Sequence, residues 1–317
     1  MEAALGFIGL GSPCDISVDL DAASTRRYVN QNPTSSTLHS STKSNNDNPL
    51  LLPLFTESET VSGKVTVSLK DGKHMQHRGI KIDFVGTIEM VYDRENSQQF
   101  TSLERLLEDP GTLTATKTYR FEFTNVEKSY DTYSGINVKL RYFLRVSIVR
   151  SQYTQDICKQ VDIAVQHLVD KPLSNQEIRM EVGIEDSLHI EFVYHNSKFH
   201  LTDVVIGRIY FMLVRINLKR MELEIRKRES AGTGANVYNE TETVMKFEVM
   251  DGAPVRGEVI PVRMFLGACR ALTPSYRSVN NKFSVKYYLN LVLVDETDRR
   301  YFKQSEITIW RKSYQTV

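Results

Sequence analysis

The chain has 317 residues, of which 41% are hydrophobic and 25% are charged, a composition typical of a globular protein of about two domains. Its formal net charge of +1 excludes a general electrostatic attraction to nucleic acid or to an anionic membrane surface. The three cysteines, Cys14, Cys158 and Cys269, lie far apart without metal or redox spacing, which indicates reduced thiols in a cytosolic protein.

The first half of the chain begins with one strand and a long polar segment. Cys14–Leu20 alternates between apolar and polar residues, which predicts a strand. Residues 22–53 are rich in Ser, Thr and Asn and contain few large apolar side chains. Such a segment cannot bury enough surface to offset its ordering entropy, so a disordered insertion is expected there. The N-terminus lacks the features of a signal peptide or a membrane anchor.

Period-2 patterns dominate the rest of this half. Strands are predicted over Val61–Leu69, over residues 80–90, around Phe121, over residues 137–149 and over residues 161–168. Residues 102–107, SLERLL, favour one or two helical turns.

The second half follows a linker at residues 171–175 and repeats this character. Strands are predicted over residues 178–182, 188–194 and 204–218, and a change of phase near Lys219-Arg220 indicates a bulge or bend. Asp251-Gly252 predicts a hairpin turn between residues 244–250 and 255–266. A last hairpin is predicted from residues 283–294 and 301–310.

Two pairs of matching segments indicate a duplicated domain. Residues 137–149, NVKLRYFLRVSIV, match residues 282–294, KFSVKYYLNLVLV, when Leu144 is aligned with Leu289. The residues around Gly63 (VSGKV) match those around Gly207 (VIGRI), and the two spacings are 81 (144 − 63) and 82 (289 − 207). The alternative is a coincidence between ordinary amphipathic strands.

Strands with one apolar face pack in pairs of sheets, so an all-β fold of two tandem β-sandwiches is predicted. The domains are expected at residues 1–168, with the insertion at about 22–53, and at residues 174–317.

Sequence motifs for catalysis are absent: the chain has no GxGxxG, P-loop, nucleophile elbow or HExxH. A metal-dependent enzyme is one alternative, because His189, Glu191 and His195 share one face of a predicted strand, with His200 close behind. The simpler interpretation is the solvated face of a strand that buries Ile190. No catalytic residue, metal or cofactor is therefore expected.

Val249 and Met250 suggest a binding surface for a partner protein, because they adjoin the predicted Asp251-Gly252 turn. By alternation Val249 faces the same way as Phe247 and Met250 faces the opposite way. At least one of the two is therefore expected to be exposed.

Five segments closely resemble the arrestin-like subunit of the retromer cargo-recognition complex. They are MEVGIEDSLHIEF (180–192), VMDGAPVRGEVIPVR (249–263), NKFSVKYYLNLVLVDETDRRYFKQ (281–304), HRGIKIDFVG (77–86) and INVKLRYFLRVSIVR (136–150). The resemblance covers nearly the whole chain. It implies an arrestin-like fold of two β-sandwiches and a non-enzymatic protein at the cytosolic face of endosomes, peripheral to the membrane through its partners.

The resemblance also implies partners and sites. The second domain would bind the helical-solenoid subunit, through Val249, Met250 and Asp251. Sorting nexins and the cytosolic tails of cargo receptors would complete the machinery that returns cargo to the Golgi or the plasma membrane. The segments at Glu57 and Ile157 resemble a site for a hairpin of the sorting nexin that carries a PDZ domain. The alternative is that Glu57 is merely solvated and that Ile157 merely covers the end of the sandwich.

Residues 22–53 are longer and richer in Ser and Asn than the usual connector of that family, and the chain stops soon after Trp310, where many members carry a tail. A competing hypothesis with the same fold is a stand-alone arrestin-like adaptor for receptor tails. Such an adaptor would need a cluster of Lys and Arg on its inner sheets to bind phosphorylated peptides, and the first half shows no such concentration.

Overall fold

A computed structural model describes residues 13–30, 51–70, 74–151, 153–184, 186–234 and 236–312, without the side chains of residues 93–96. Within these ranges the chain forms 22 β-strands and a single 3-10 turn at Leu266–Ala268, with no α-helix. The strands fall into two compact units that meet in sequence between His167 and Leu168, except that Gly135–Asn137 group with the second unit.

The first unit contains two main sheets. The smaller has the order β1-β4-β9 and the larger has the order β2-β3-β12-β11-β6-β7, with β10 pairing β11 and with β5 and β8 forming a separate pair. The strands are β1 (Cys14–Leu20), β2 (Tyr28–Asn30), β3 (Leu51–Thr56), β4 (Val61–Leu69), β5 (Met75–His77), β6 (Gly79–Met90), β7 (Asp93–Glu108), β8 (Gly111–Leu113), β9 (Lys117–Phe123), β10 (Tyr133–Ser134), β11 (Val138–Val149) and β12 (Ile157–Gln166).

The second unit also contains two sheets. One has the order β13-β14-β16-β19 and the other the order β15-β22-β21-β17-β18, with β20 pairing β21. The strands are β13 (Ile178–Ile184), β14 (Leu188–Tyr194), β15 (Lys198–His200), β16 (Val204–Val214), β17 (Leu218–Thr233), β18 (Asn236–Asp251), β19 (Val259–Phe265), β20 (Tyr276–Val279), β21 (Phe283–Asp295) and β22 (Arg300–Trp310).

The main strands follow the same order in both units, although β2, β13 and the β5-β8 pair have no counterpart, and this shared order confirms the predicted duplication. The repeated strands become β11 and β21, and each lies at the same place in its larger sheet, flanked by β12 and β6 or by β22 and β17. The short strand β3 runs parallel to β12, just as β15 runs parallel to β22, while all other pairings within the sheets are antiparallel. The all-β architecture of two sandwiches is therefore confirmed.

The repeated glycines have a steric reason. A Cβ atom on Gly63 would lie 2.3 Å from the carbonyl oxygen of Asp19 on the neighbouring strand. A Cβ atom on Gly207 would lie 2.6 Å from Tyr194 Cδ1 and from the carbonyl oxygen of Val193. Both glycines lie on the central strands of the smaller sheets, β4 and β16, where only a residue without a side chain allows the close approach.

The repeated tyrosines are anchored to the backbone in the same way. The Tyr142 hydroxyl accepts a hydrogen bond from the Tyr130 amide at 3.1 Å and donates to the Tyr130 carbonyl at 3.0 Å. The Tyr287 hydroxyl accepts from the Thr273 amide at 3.0 Å and lies 2.9 Å from Thr273 Oγ1. Each side chain is buried, so each unit fixes a loop to its central strand through one tyrosine.

Alternation along the strands produces the core of each unit. On β14, for example, Leu188, Ile190, Phe192 and Tyr194 are all buried, as the pattern predicts. The predicted bulge near Lys219 is also confirmed, because Leu218 pairs with Asp295 while Arg220 pairs with Val294, which leaves Lys219 as the extra residue.

Two local predictions were wrong. Residues 102–107 do not form helical turns, since they belong to the long strand β7, which pairs with β6 along most of its length. Pairing with β6 here overrides the helical preference of a Leu- and Glu-rich segment. The hairpin at Asp251-Gly252 was also wrong, because β18 and β19 lie in different sheets.

The ends of the segment predicted to be a disordered insertion, 22–53, are strands. β2 (Tyr28–Asn30) pairs with β3 (Leu51–Thr56), and within β3 the side chains of Leu52 and Phe55 are buried. The Arg26 guanidinium lies 3.7 Å from the centre of the Phe55 ring. Apolar burial and this cation–π contact therefore order the two ends. The remainder of the prediction, residues 31–50, lies outside the described residues.

Candidate functional site

Val249, Met250 and Asp251 lie at the end of β18, the outermost strand of the larger sheet of the second unit. On the neighbouring strand β17, Met221 pairs with Met250 and Glu222 pairs with Glu248, so Val249 is the extra residue of a bulge. A bulge changes the direction in which side chains point, so the simple alternation predicted from the sequence fails here.

The surroundings of this bulge combine apolar and charged groups. Val249 and Met250 are both half-buried and Asp251 is exposed, while Phe247 on the same strand is 37% exposed. The carboxylate of the buried Glu222 is held by Lys246 Nζ at 2.8 Å and by Arg220 Nε at 3.2 Å.

The backbone after the bulge is fixed in the connection to β19. The Gly252 amide donates to the Lys219 carbonyl at 2.8 Å, and Gly252 has φ = 109°, a conformation that favours glycine. The result is an ordered ridge with an apolar pair at its tip, which is suited to contact with another protein.

Glu57 follows β3 in the first unit and takes part in a polar cluster. Its carboxylate lies 2.7 Å from His167 Nδ1. The buried Lys128 ammonium donates to the backbone carbonyls of Glu57 at 2.9 Å, Glu59 at 2.7 Å and Val126 at 3.2 Å. Burial lowers the pKa of Lys128, and the three carbonyls compensate for part of the lost hydration.

Sequence reasoning missed His167 and Lys128, because neither residue belongs to a motif and both are distant from Glu57 in the chain. Both residues contact Glu57, and the carboxylate of Glu57 is half-exposed and paired with His167 rather than freely solvated.

Ile157 lies at the opposite end of this sheet. It is the first residue of β12, where it pairs with Ile148 and is half-buried, so the turn-like position expected from the sequence is in fact the start of a strand. The turn before it is held by Asp156, whose carboxylate accepts from the Arg150 amide at 2.8 Å.

The structure does not bring Glu57 and Ile157 together. Thr56, next to Glu57, pairs with Gln166 at the far end of β12, nine residues (166 − 157) beyond Ile157. A strand advances about 3.3 Å per residue, so the two side chains are about 30 Å apart. They therefore belong to two separate surfaces of the first unit and not to one site.

The residues of the metal hypothesis are only partly adjacent. His189 and Glu191 share the outer face of β14, with 3.7 Å between His189 Nε2 and Glu191 Oε1. His195 is exposed and does not join them, whereas Glu181 on β13 does, at 3.8 Å from the same His189 nitrogen. Within the described ranges this is the one group of three or more His, Cys, Asp or Glu residues with such proximity.

Other polar clusters serve the fold. Arg145 binds the buried Asp83 at 2.8 Å on the larger sheet of the first unit. An open cavity of about 560 Å³ in the same unit is lined by Asp21, Arg105, Arg120 and Glu122 among others, so it carries charges of both signs. The described part of the chain contains no helix that is long and apolar enough to span a bilayer.

Comparison with known proteins identifies the family. The family "Vacuolar protein sorting-associated protein 26" (Vps26) matches residues 10–298. Vacuolar protein sorting-associated protein 26B of Danio rerio is 53% identical over 309 residues, which cover 97% of this chain and 89% of the relative. Vacuolar protein sorting-associated protein 26 of Dictyostelium discoideum is 53% identical over 303 residues, which cover 95% and 83% of the two chains. The human protein 26B is 50% identical over 309 residues, with coverage of 97% and 88%.

The match extends through both units and is far above the level at which chance similarity or a shared fold alone would explain it. The resemblance drawn from five sequence segments is thereby confirmed, and the chain belongs to the Vps26 family of vacuolar protein sorting proteins.

Proposed function

We propose that this protein is the non-enzymatic, arrestin-like subunit of retromer and that it acts on the cytosolic face of endosomes. In this role it binds the helical-solenoid subunit and helps recruit sorting nexins and the tails of cargo receptors for transport to the Golgi and the plasma membrane. Membership of the Vps26 family over both units carries the proposal. Association with the membrane is indirect, through these partners.

The proposed contact with the solenoid subunit is the ridge formed by Val249, Met250 and Asp251. Two half-buried apolar side chains at the tip of an edge strand gain burial when a partner covers them, which stabilises the complex. The salt bridges of Glu222 behind the ridge keep its backbone in place, so binding requires little ordering.

Co-purification with the solenoid subunit tests this proposal. Replacement of Val249 and Met250 by Asp is expected to abolish assembly, because anchors of this kind typically contribute ~2 kcal/mol or more each. The matched control is Val237→Asp, which introduces the same charge on the same strand at a side chain that is 45% exposed. Val237 lies twelve residues (249 − 237), and therefore about 40 Å, from Val249 along the strand. The Val237→Asp variant should therefore leave assembly intact.

An unchanged yield of complex from the double variant, with the protein still folded, would place the solenoid contact elsewhere. Loss of assembly in the Val237→Asp control as well would mean that charge anywhere on β18 disrupts the unit.

The proposed contacts with sorting nexins are Glu57 and Ile157, which are now two separate candidate surfaces. Glu57 offers a carboxylate that is already oriented by His167. Ile157 offers a half-buried apolar side chain beside the exposed Cys158. Glu57→Ala and Ile157→Asp should therefore be tested individually against the PDZ-containing nexin, with binding of the solenoid subunit as the control for folding. A nexin hairpin that uses one surface will respond to only one of the two variants.

A further inference from the structure

His167 follows β12 directly, and its backbone and both of its ring nitrogens are engaged. The backbone amide donates to the carboxylate of Asp131, a buried residue. Ring nitrogen Nδ1 lies 2.7 Å from the Glu57 carboxylate, and Nε2 faces the backbone carbonyl oxygen of Lys128 within hydrogen-bond distance. The imidazole therefore connects the residue after β3 to the loop before β10, all within the first unit.

Both ring nitrogens of His167 face oxygen atoms that only accept hydrogen bonds. An ionised carboxylate and a carbonyl have no proton to donate, so each contact requires an N–H group on the ring. Only the imidazolium carries two N–H groups, whereas the neutral ring carries one and presents a lone pair at its other nitrogen. The observed pair of contacts therefore belongs to the charged ring. Histidine side chains typically lose this charge between about pH 5 and 8.

Burial decides which of the two contacts the neutral ring keeps. Lys128 is 1% exposed, and a buried carbonyl left without a donor is destabilising. The Glu57 side chain is 51% exposed, so water can replace the imidazole as its partner. The single proton of the neutral ring therefore stays on Nε2, and the lone pair of Nδ1 faces the carboxylate. Repulsion between these two acceptors then releases Glu57.

The neighbouring charged groups are engaged elsewhere. The Lys128 ammonium donates to three backbone carbonyls, those of Glu57 and Glu59 among them, and not to the Glu57 carboxylate. The Glu59 carboxylate binds Arg26 at 2.7 Å. Among the residues that the structure describes, His167 is therefore the cation that forms an ion pair with the Glu57 side chain.

We propose that His167 is a positioning residue that controls access to Glu57. The charged ring holds the carboxylate, and the neutral ring releases it to a Lys or Arg side chain of a partner. Loss of the ring proton also makes this end of the first unit more negative by one charge, which favours a basic partner. The inference rests on the proposed role of Glu57 as a contact for the sorting nexin, and it adds the regulation of that contact.

Titration calorimetry of the full chain with the PDZ-containing nexin tests this regulation. Wild type should bind about two- to fivefold more tightly at about pH 8 than at about pH 6, the range that a half-exposed charge pair contributes. His167→Gln carries a neutral amide at both pH values and should lose this increase. The matched control is His74→Gln, which removes an exposed histidine of the same unit and should keep it. An equal increase in His167→Gln and wild type overturns the proposal.

Nitrogen NMR of the histidine rings in the free chain tests the switch without the nexin. The signals of His167 are those that disappear in His167→Gln. At about pH 8 the ring should carry its single proton on Nε2, and a proton on Nδ1 would overturn the proposal. Glu57→Ala separates this result from the proposed function. If that variant binds the nexin like wild type, Glu57 is rejected as a nexin contact, and the position of the ring proton alone decides the switch.

Discussion

Replacement of Tyr287 by Phe isolates the contribution of one repeated anchor. The substitution keeps the buried ring in the core and removes only the hydroxyl, which binds the Thr273 amide at 3.0 Å and Thr273 Oγ1 at 2.9 Å. No cavity of methyl size is created, so the loss of hydrogen bonding dominates the effect.

The expected cost follows from these two contacts. A net intramolecular hydrogen bond contributes about 1 kcal/mol, and a backbone amide left without a partner costs about 1–3 kcal/mol. We therefore expect the free energy of unfolding to fall by about 2 kcal/mol. In a unit of roughly 150 residues this corresponds to a decrease in melting temperature of about 4–8 °C.

Differential scanning calorimetry measures this decrease, and Tyr288→Phe is the control. Tyr288 is the next residue on β21 but points to the opposite face, is half-buried, and should change the melting temperature by less than about 1 °C. Equal melting temperatures for Tyr287→Phe and wild type would refute the anchoring role. Tyr142→Phe should reproduce the effect in the first unit, because its hydroxyl binds Tyr130 in the same manner.

The same residue predicts sensitivity to alkali. The pKa of Tyr287 is raised from an ordinary value of about 10 to about 12, mainly because the side chain is buried. The unfolded chain therefore loses this proton before the folded chain does. The stability that Tyr287 contributes is complete below pH 10 and is lost as the pH rises towards 12, by up to about 3 kcal/mol. Tyr287→Phe should lose less stability than wild type over that interval.

Three further predictions concern the fold. Gly207→Ala should lower the free energy of unfolding by about 1–3 kcal/mol, because its Cβ would lie 2.6 Å from Tyr194. Gly183→Ala, whose Cβ would have its nearest contact at 3.8 Å, should leave the free energy of unfolding nearly unchanged. Urea unfolding of the two variants measures the difference. Asp83→Asn should lower the free energy of unfolding by about 1–3 kcal/mol, because it weakens a charge-assisted bond to Arg145 within a mostly buried pair; a fall of less than 0.5 kcal/mol would contradict this. Replacing residues 31–50 by a short Gly/Ser linker, with β2 and β3 retained, should leave the melting temperature within a few degrees, and a collapse in soluble yield would argue against it.

The fold was predictable because its strands are long and regular. The matched spacing from Gly63 to Leu144 and from Gly207 to Leu289 predicted a duplication, and the strand order in the two units bears it out. The errors occurred where pairing partners decide the structure. The segment 102–107 has the composition of a helix, and only its pairing with β6 makes it a strand.

The candidate sites were less predictable, because contacts distant in sequence create them. Alternation could not reveal that Val249 lies in a bulge, since the bulge is defined by the register against Met221 and Glu222. Likewise, the distance between Glu57 and Ile157 depends on the parallel pairing of β3 with β12, a non-local arrangement without a sequence motif.

The duplication separates residues that maintain the fold from residues that differentiate the two units. Positions that recur, such as Gly63 with Gly207 and Tyr142 with Tyr287, lie on central strands and make contacts within their own unit. The outermost strands β7 and β18 occupy equivalent places in the larger sheets, and each carries a bulge near its end, at Leu107 and at Val249. Of these two bulges, the one at Val249 lies in the sequence that the resemblance associates with a partner. A central strand that pairs on both sides has little freedom to change, whereas an edge strand can acquire a bulge without loss of the core. The proposed surfaces at Val249 and Glu57 lie at an edge and at an end of their sheets, where this freedom is greatest.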